Sequence, residues 1–237
     1  MRFIDLGVVT PEFSVCADRV LLDSHRSGDD DVLLVYSRDR PCISVGRFQR
    51  TEDTVNIGHV KKKGISMVRR VSGGSNIYSD ENQLTYSLII SRDRLPASRN
   101  DSFAVICNAL VASLRRLGVD GYHKPVNDVL VNGKKISGGA QARSRSAVLQ
   151  HGSIILDVDN DAVTSSLNDR KKRSYDGLTS VKECLGHMPS RDVIVDSIIA
   201  GFSEAFGPIV KGCLGNEEVE MIQRSADLLL AEVVQVH

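Results

Sequence analysis

No apolar run in this 237-residue sequence approaches the length of a bilayer span, which excludes a chain built on membrane-crossing helices. Charge of one sign is not in excess either. Thirty basic residues balance thirty acidic ones, so the broad positive field of a non-specific nucleic-acid binder is missing and any polyanion site must be local. Neither a nucleic acid nor a membrane is expected as a partner. The five cysteines (Cys16, Cys42, Cys107, Cys184, Cys213) are odd in number, widely spaced and form no CxxC pair, which is the thiol usage of a reducing compartment. Met1-Arg2-Phe3-Ile4-Asp5 has no apolar signal segment, and a cytoplasmic location is expected. The phosphate loop GxxxxGK(S/T), the dinucleotide fingerprint GxGxxG and the zinc motif HExxH are all absent. Internal repeats and low-complexity stretches are absent as well.

What is present is ordinary globular composition, 41% apolar and 25% charged, in enough chain for one sizeable core. Strand-like segments rich in β-branched residues are expected at Met1–Leu6, Val32–Ser37, Cys42–Val45, Ile65–Arg70, Leu84–Ile90, Val129–Val131, Lys134–Ile136 and Val148–Leu156. Helices are expected at Glu12–Leu22, Asp101–Leu117, Arg191–Phe206 and Glu217–Val234. In the second, Phe103, Ile106, Leu110 and Leu114 recur at three- and four-residue spacing, with Asn100 as candidate N-cap and Gly118 as the stop. Gly28–Asp31 and Gly207–Gly215 read as loops. The irregular alternation, without a strand–helix repeat, predicts an α+β fold with a mixed sheet, a single domain over residues 1–237.

Three segments carry possible chemistry. In Arg69-Arg70-Val71-Ser72-Gly73-Gly74-Ser75-Asn76-Ile77-Tyr78-Ser79-Asp80, a glycine pair lets a ligand approach backbone N–H groups closely beside two arginines. Taken alone it reads first as a hairpin turn flanked by solvated arginines. In Asn127-Asp128-Val129-Leu130-Val131-Asn132-Gly133-Lys134-Lys135-Ile136-Ser137-Gly138, the Asn-Gly pair predicts a two-residue type I′ hairpin. Its register would pair Val131 with Lys134, Leu130 with Lys135, Val129 with Ile136 and Asp128 with Ser137, gathering Asp128, Lys135 and Ser137 on one face. That is either a phosphate site, with Lys135 on phosphate oxygens and Asp128 for Mg²⁺ or for holding the lysine, or a surface ion pair. In Leu149-Gln150-His151-Gly152-Ser153-Ile154, Gly152 marks a bulge or a close approach, and Gln150, His151 and Ser153 are candidate pocket residues. His151 has no second ligand at metal spacing, and a hydrogen-bonded strand histidine is the alternative.

Taken in order, the three segments resemble the lipoate–protein ligase branch of the biotin/lipoate ligase and octanoyltransferase family, over Met1 to about Gly186. The Arg-Arg-x-(Ser/Thr)-Gly-Gly-Gly signature is matched at Arg69, Arg70, Ser72, Gly73 and Gly74 and continues at Ile77, Tyr78 and Asp80. The Asn-Asp…Gly-(Lys/Arg)-Lys-(Ile/Val)-Ser-Gly-x-Ala-x-x-Arg signature is matched from Asn127 to Arg143. His151-Gly152-Ser153 matches the third, and Ser44-Val45-Gly46-Arg47-Phe48-Gln49 resembles an upstream family turn. The resemblance implies a mixed, largely antiparallel sheet flanked by helices, with the signatures in residues 43–157 and the C-terminal helices in 191–237. It implies that lipoate and MgATP give lipoyl-AMP, from which the lipoyl group passes to a lysine of a lipoyl domain. Lys135 then corresponds to the family's essential lysine. Asn127, Asp128 and Lys135 serve ATP phosphates, and Asp128 serves Mg²⁺. The acyl adenylate is held by Arg70, Ser72, Gly73, Gly74, Ser75, Asn76, Ile77, Lys135, Ser137, Gly138, Ala140, His151, Gly152 and Ser153.

The departures matter too. Ser75 and Ser79 replace a usual glycine and histidine, leaving acyl preference open, and Phe13–Arg19 matches the family's first helix only loosely. In sibling acyltransferases a cysteine carries the acyl group, whereas none of the five cysteines here lies in the segment just before Asn127-Asp128 or in a Pro-Cys-Gly context. ATP-independent octanoyl or lipoyl transfer is the alternative activity, and a catalytically silent lipoyl- or nucleotide-binding module the other. The resemblance implies a catalytic domain without the C-terminal accessory domain and raises a small accessory subunit for activation as an expectation. The basic run Arg170–Arg173 is a candidate for steering an acidic acceptor, or a solvated loop.

Overall fold

The computed structural model describes residues 1–168 and 177–234. The basic run Arg170–Arg173 lies outside them. In chain order the elements are β1 (Arg2–Val9), α1 (Pro11–Ser24), β2 (Val32–Arg38), β3 (Cys42–Val45), α2 (Thr51–Thr54), α3 (Ile57–Lys63), β4 (Ser66–Arg69), β5 (Ile77–Ser79), β6 (Gln83–Ser91), α4 (Arg99–Arg116), β7 (Tyr122–Lys124), β8 (Asp128–Val131), β9 (Lys134–Arg143), β10 (Ala147–Ile155), α5 (Asn160–Ser166), α6 (Val181–Leu185), α7 (Arg191–Phe206), β11 (Val210–Lys211) and α8 (Asn216–Val234). Among the described helices none is long and apolar enough to cross a membrane.

An eight-stranded sheet runs β11-β1-β2-β6-β10-β9-β8-β7. It is parallel only where β1 meets β11 and β2, and antiparallel elsewhere. A three-stranded sheet, β4-β3-β5, stands beside it. This is the mixed, largely antiparallel α+β arrangement expected from the sequence. Strand alternation sends Leu33, Val35, Tyr86, Leu88 and Val148 to one face of the large sheet, where α4 and α7 cover them with Ile106, Leu110, Ile198 and Phe202. Ile4, Leu34, Tyr36, Ile89 and Leu149 go to the other face, under α1 and α8. Each such side chain, taken fully out of water, contributes about 1.5–3 kcal/mol of transfer free energy.

Helix starts follow local chemistry. Thr10 caps α1, its Oγ1 accepting from the Phe13 N–H at 3.1 Å, with Pro11 in the first turn where no N–H is needed. The cap of α4 is Ser98, not Asn100: its Oγ accepts from the Asp101 N–H, so the helix begins two residues earlier and Asn100 lies inside it. Gly118, at φ 87°, ends it as expected. The stretch expected to be loop after α7 contains β11, because Val210 and Lys211 extend the sheet edge beside Arg2 and Phe3.

Candidate active site

The glycine-pair turn is built around a buried arginine. Arg70 is 4% exposed, and its guanidinium donates to the carbonyls of Ser44, Gly73 and Ser75, each at 2.7 Å, and through Nε to Ser72 Oγ at 3.1 Å. Burial, with Arg38 nearby, pushes its pKa down to about 10, still fully charged at neutral pH. Arg70 thus holds the turn by its carbonyls, and Gly74 takes a φ of 93° to make that possible. Among the described residues none accepts a hydrogen bond from the backbone N–H of Gly73, Gly74 or Ser75. A turn with its oxygens tied down and its N–H groups free is an anion cradle. Arg69 supports the adjoining turn, donating to the carbonyls of Gly46 and Gln49 at 3.0 Å each. Asn76 ties the two turns together: its Oδ1 accepts from the Gly46 N–H and its Nδ2 donates to Thr54 Oγ1.

The hairpin of β8 and β9 turns at Asn132 and Gly133, both at positive φ (50° and 81°), as a type I′ turn demands. Val131 pairs with Lys134 and Leu130 with Lys135 as expected, but a bulge then shifts the register, so that Val129 faces Ser137 and Asp128 faces Gly138. The expected Val129–Ile136 and Asp128–Ser137 pairs are therefore wrong. Ile136 enters the α4-side core instead, and Ser137 is buried with its hydroxyl unpartnered among the described residues. Gly138 takes the place expected of Ser137. The Lys135 ammonium sits above it, 2.6 Å from Asp128 Oδ1, and a Cβ at Gly138 would lie 2.5 Å from Lys135 Nζ. Two residues along the same face, Ala140 touches the Gly74 side of the cradle; a Cβ on Gly74 would be 3.8 Å from Ala140 Cβ. Asn127 braces this strand through its side-chain amide, which donates to the Gly139 carbonyl, while the Gly139 N–H donates to the Asn127 carbonyl.

His151 lies opposite Ala140 on β10 and faces α1. Its Nε2 is 2.5 Å from Ser72 Oγ and its Nδ1 is 2.6 Å from Asp18 Oδ2. Gln150 is buried on the opposite face, donating to the Tyr86 hydroxyl at 3.2 Å and accepting from Gln141, and so does not line the same pocket as His151. Gly152 has a packing reason: it lies opposite Tyr86, and a Cβ there would meet the Tyr86 ring and hydroxyl at 2.9 Å and the Gly138 carbonyl at 2.6 Å. Ser79, where the family pattern has histidine, is buried and accepts from Arg38 at 2.6 Å.

The structure therefore brings Arg70, Ser72, Gly73, Gly74, Ala140 and His151 into one cluster, with Lys135 and Gly138 farther along β9, Asp128 opposite Gly138 on β8, and Asn127 just before it. Ser75 is exposed at its edge, and Ile77 is 36% exposed on β5. Ser153 follows one alternation beyond His151. Nothing in the three segments points to Asp18, although Ser14 and Asp18 occupy the apolar stripe of α1 with Val15, Leu21 and Leu22, and a carboxylate on a buried stripe is a signal in itself.

Residues 10–206 match the lipoyl protein ligase A/B catalytic domain family. The chain belongs to that family. It is 30% identical over 235 residues to the octanoyltransferase LipM of Geobacillus kaustophilus, covering 86% of this chain and 84% of the relative. Among solved structures it is similar to the bi-partite lipoate protein ligase of Thermoplasma acidophilum, with a TM-score of 0.86, 26% identity, and 95% of this chain and 91% of that one covered. It is similar also to a lipoate-protein ligase A bound with ATP, at the same TM-score and identity, with 95% and 94% covered.

For a member of this family, the residues present fit a nucleotide phosphate: free N–H groups in the cradle, the Lys135 ammonium, and no side chain on Gly138 to crowd them. Asp128 would be the protein's carboxylate toward Mg²⁺; no group of three or more His, Cys, Asp or Glu that could hold a metal ion exists among the described residues. The thiols offer less. Cys16, Cys42 and Cys107 are buried, and burial raises all three pKa values, to about 11 for Cys42 and about 12 for Cys107. Cys184 and Cys213 are exposed.

Proposed function

We propose that this enzyme activates lipoate with ATP as lipoyl-AMP and transfers the lipoyl group to a lysine amine of a lipoyl domain. The observation that carries the reading is the Lys135 ammonium, held by Asp128 over Gly138, two residues along β9 from the Ala140 that borders the Gly73–Ser75 turn. In activation a lipoate carboxylate oxygen attacks the α-phosphorus and pyrophosphate leaves, so negative charge builds on phosphoryl oxygens. In transfer the lysine amine attacks the acyl carbon and AMP leaves, so charge builds on the carbonyl oxygen. One prepositioned cation with aligned N–H donors stabilises both. Mg²⁺, when bound, would neutralise charge on the phosphates next to Asp128. The similarity to an ATP-bound ligase supports the use of ATP, and burial of Cys16, Cys42 and Cys107, which raises their pKa values, supports a route that does not use those three thiols.

A second reading is octanoyl or lipoyl transfer from a carrier without ATP, and the names of the curated relatives weigh toward it. Release of pyrophosphate from MgATP by the purified chain separates the two. Lipoate-dependent release is the expected result. No release, together with ATP-free transfer from an octanoylated carrier protein to a lipoyl domain, would install the second reading. No release together with transfer from preformed lipoyl-AMP would place activation on an accessory subunit.

A further inference from the structure

The buried chain Asp18–His151–Ser72 takes no part in the steps above. Asp18 and Ser72 are each 1% exposed and His151 8%, and the three come from α1, β10 and the cradle turn. Asp18 has only its carboxylate to offer, so His151 Nδ1–H donates to it, and Nε2 is left to accept from the Ser72 hydroxyl. Ser72 Oγ also receives the Arg70 Nε–H at 3.1 Å, a fixed positive charge against an oxygen losing its proton. The next residue, Gly73, has an N–H without a partner among the described residues. These are a nucleophile, a base, a carboxylate that orients the base, and an oxyanion donor on the residue after the nucleophile.

We propose that Ser72 is an acyl-carrying nucleophile, so that the chain forms an ester with octanoyl or lipoyl groups presented as thioesters. This rests on the reading that the cradle handles acyl groups, but not on the use of ATP. In the first step Ser72 Oγ attacks the acyl carbon; the C–O bond forms, the C–S bond breaks, and the serine proton passes through His151 Nε2 to the departing thiolate. In the second an amine attacks the ester; the C–N bond forms, the C–O bond breaks, and Ser72 recovers its proton from the imidazolium, which has taken one from the attacking amine. The same device supplies what ATP-free transfer needs in a chain with Cys16, Cys42 and Cys107 buried.

The test is incubation of the purified chain with octanoyl-coenzyme A, without ATP, followed by intact mass and peptide mapping. One octanoyl group on the peptide containing Ser72 is expected. Ser72→Ala should remove it, Ser72→Cys should restore it as a thioester, and Asp18→Asn should slow its formation by roughly 10²–10⁴-fold without lowering the melting temperature by more than a few degrees. An adduct on a cysteine, or no adduct from a wild-type chain that transfers from preformed lipoyl-AMP, overturns the proposal and leaves the ligase reading standing. If Ser72→Ala does not fold, the wild-type peptide map and Asp18→Asn still decide.

Discussion

Lys135 is about two-fifths exposed and its partner Asp128 about one-third, so the pair does little for stability and its value lies in position. Lys135→Ala should therefore lower transfer from preformed lipoyl-AMP by roughly 10²–10³-fold or more while unfolding free energy, followed in urea, changes by no more than about 0.5 kcal/mol. Gly138→Ala separates position from charge: the new Cβ would push the ammonium aside, so kcat should fall with Lys135 still present and stability nearly unchanged. Arg70 behaves in the opposite way. Its removal leaves the buried carbonyl of Ser44 and those of Gly73 and Ser75 without their donor, and Arg70→Ala should cost about 3 kcal/mol or more along with activity. At this scale the sequence shows which residues matter better than it shows why. Arg70 reads as a charge for a ligand and turns out to hold the turn; Gly152 reads as ligand space and makes room for Tyr86.

Elements set where those residues stand. The Asn132-Gly133 turn is legible because only residues tolerant of positive φ fit it, but the bulge that follows is not, because no local preference in Leu130 or Ile136 announces it. The bulge decides that Gly138 and not Ser137 faces Asp128, and so makes room for the lysine. Helix α4 is legible from its apolar period, and its start is missed by two residues because Ser98 and Asn100 are both good caps and only the fold chooses between them. Ser98→Ala should lower stability by about 1 kcal/mol in a urea titration, with Asn100→Ala nearly neutral. Helices α4 and α7 lie close together at Gly201, where a Cβ would lie 2.5 Å from the Ser113 backbone nitrogen and 2.7 Å from the Ala109 carbonyl oxygen. Since backbone cannot step aside as a side chain can, Gly201→Ala should destabilise by about 1–3 kcal/mol by the same measurement.

At the scale of the whole molecule, the sheet separates two tasks. Its α4 and α7 face is core, with Tyr86 and Gln150 buried there; its α1 face carries a second core under α1 and α8 and, beside it, His151 between Asp18 and the Ser72 of the cradle. Fold class and family are readable in three ordered signatures, a turn, a hairpin and a strand segment, because the residues of each lie close in sequence. The meeting of Asp18 with His151, separated by 133 residues, is not, because nothing local records which strand α1 will cover. The central claim is that this one face transfers an acyl group to a protein lysine. The most direct measurement is the intact mass of a lipoyl domain after incubation with the chain, lipoate and MgATP, beside a sample given preformed lipoyl-AMP. A gain of one lipoyl group on the acceptor lysine, lost with Lys135→Ala, is the predicted result. An unmodified acceptor in both samples, or full modification by Lys135→Ala, would contradict it.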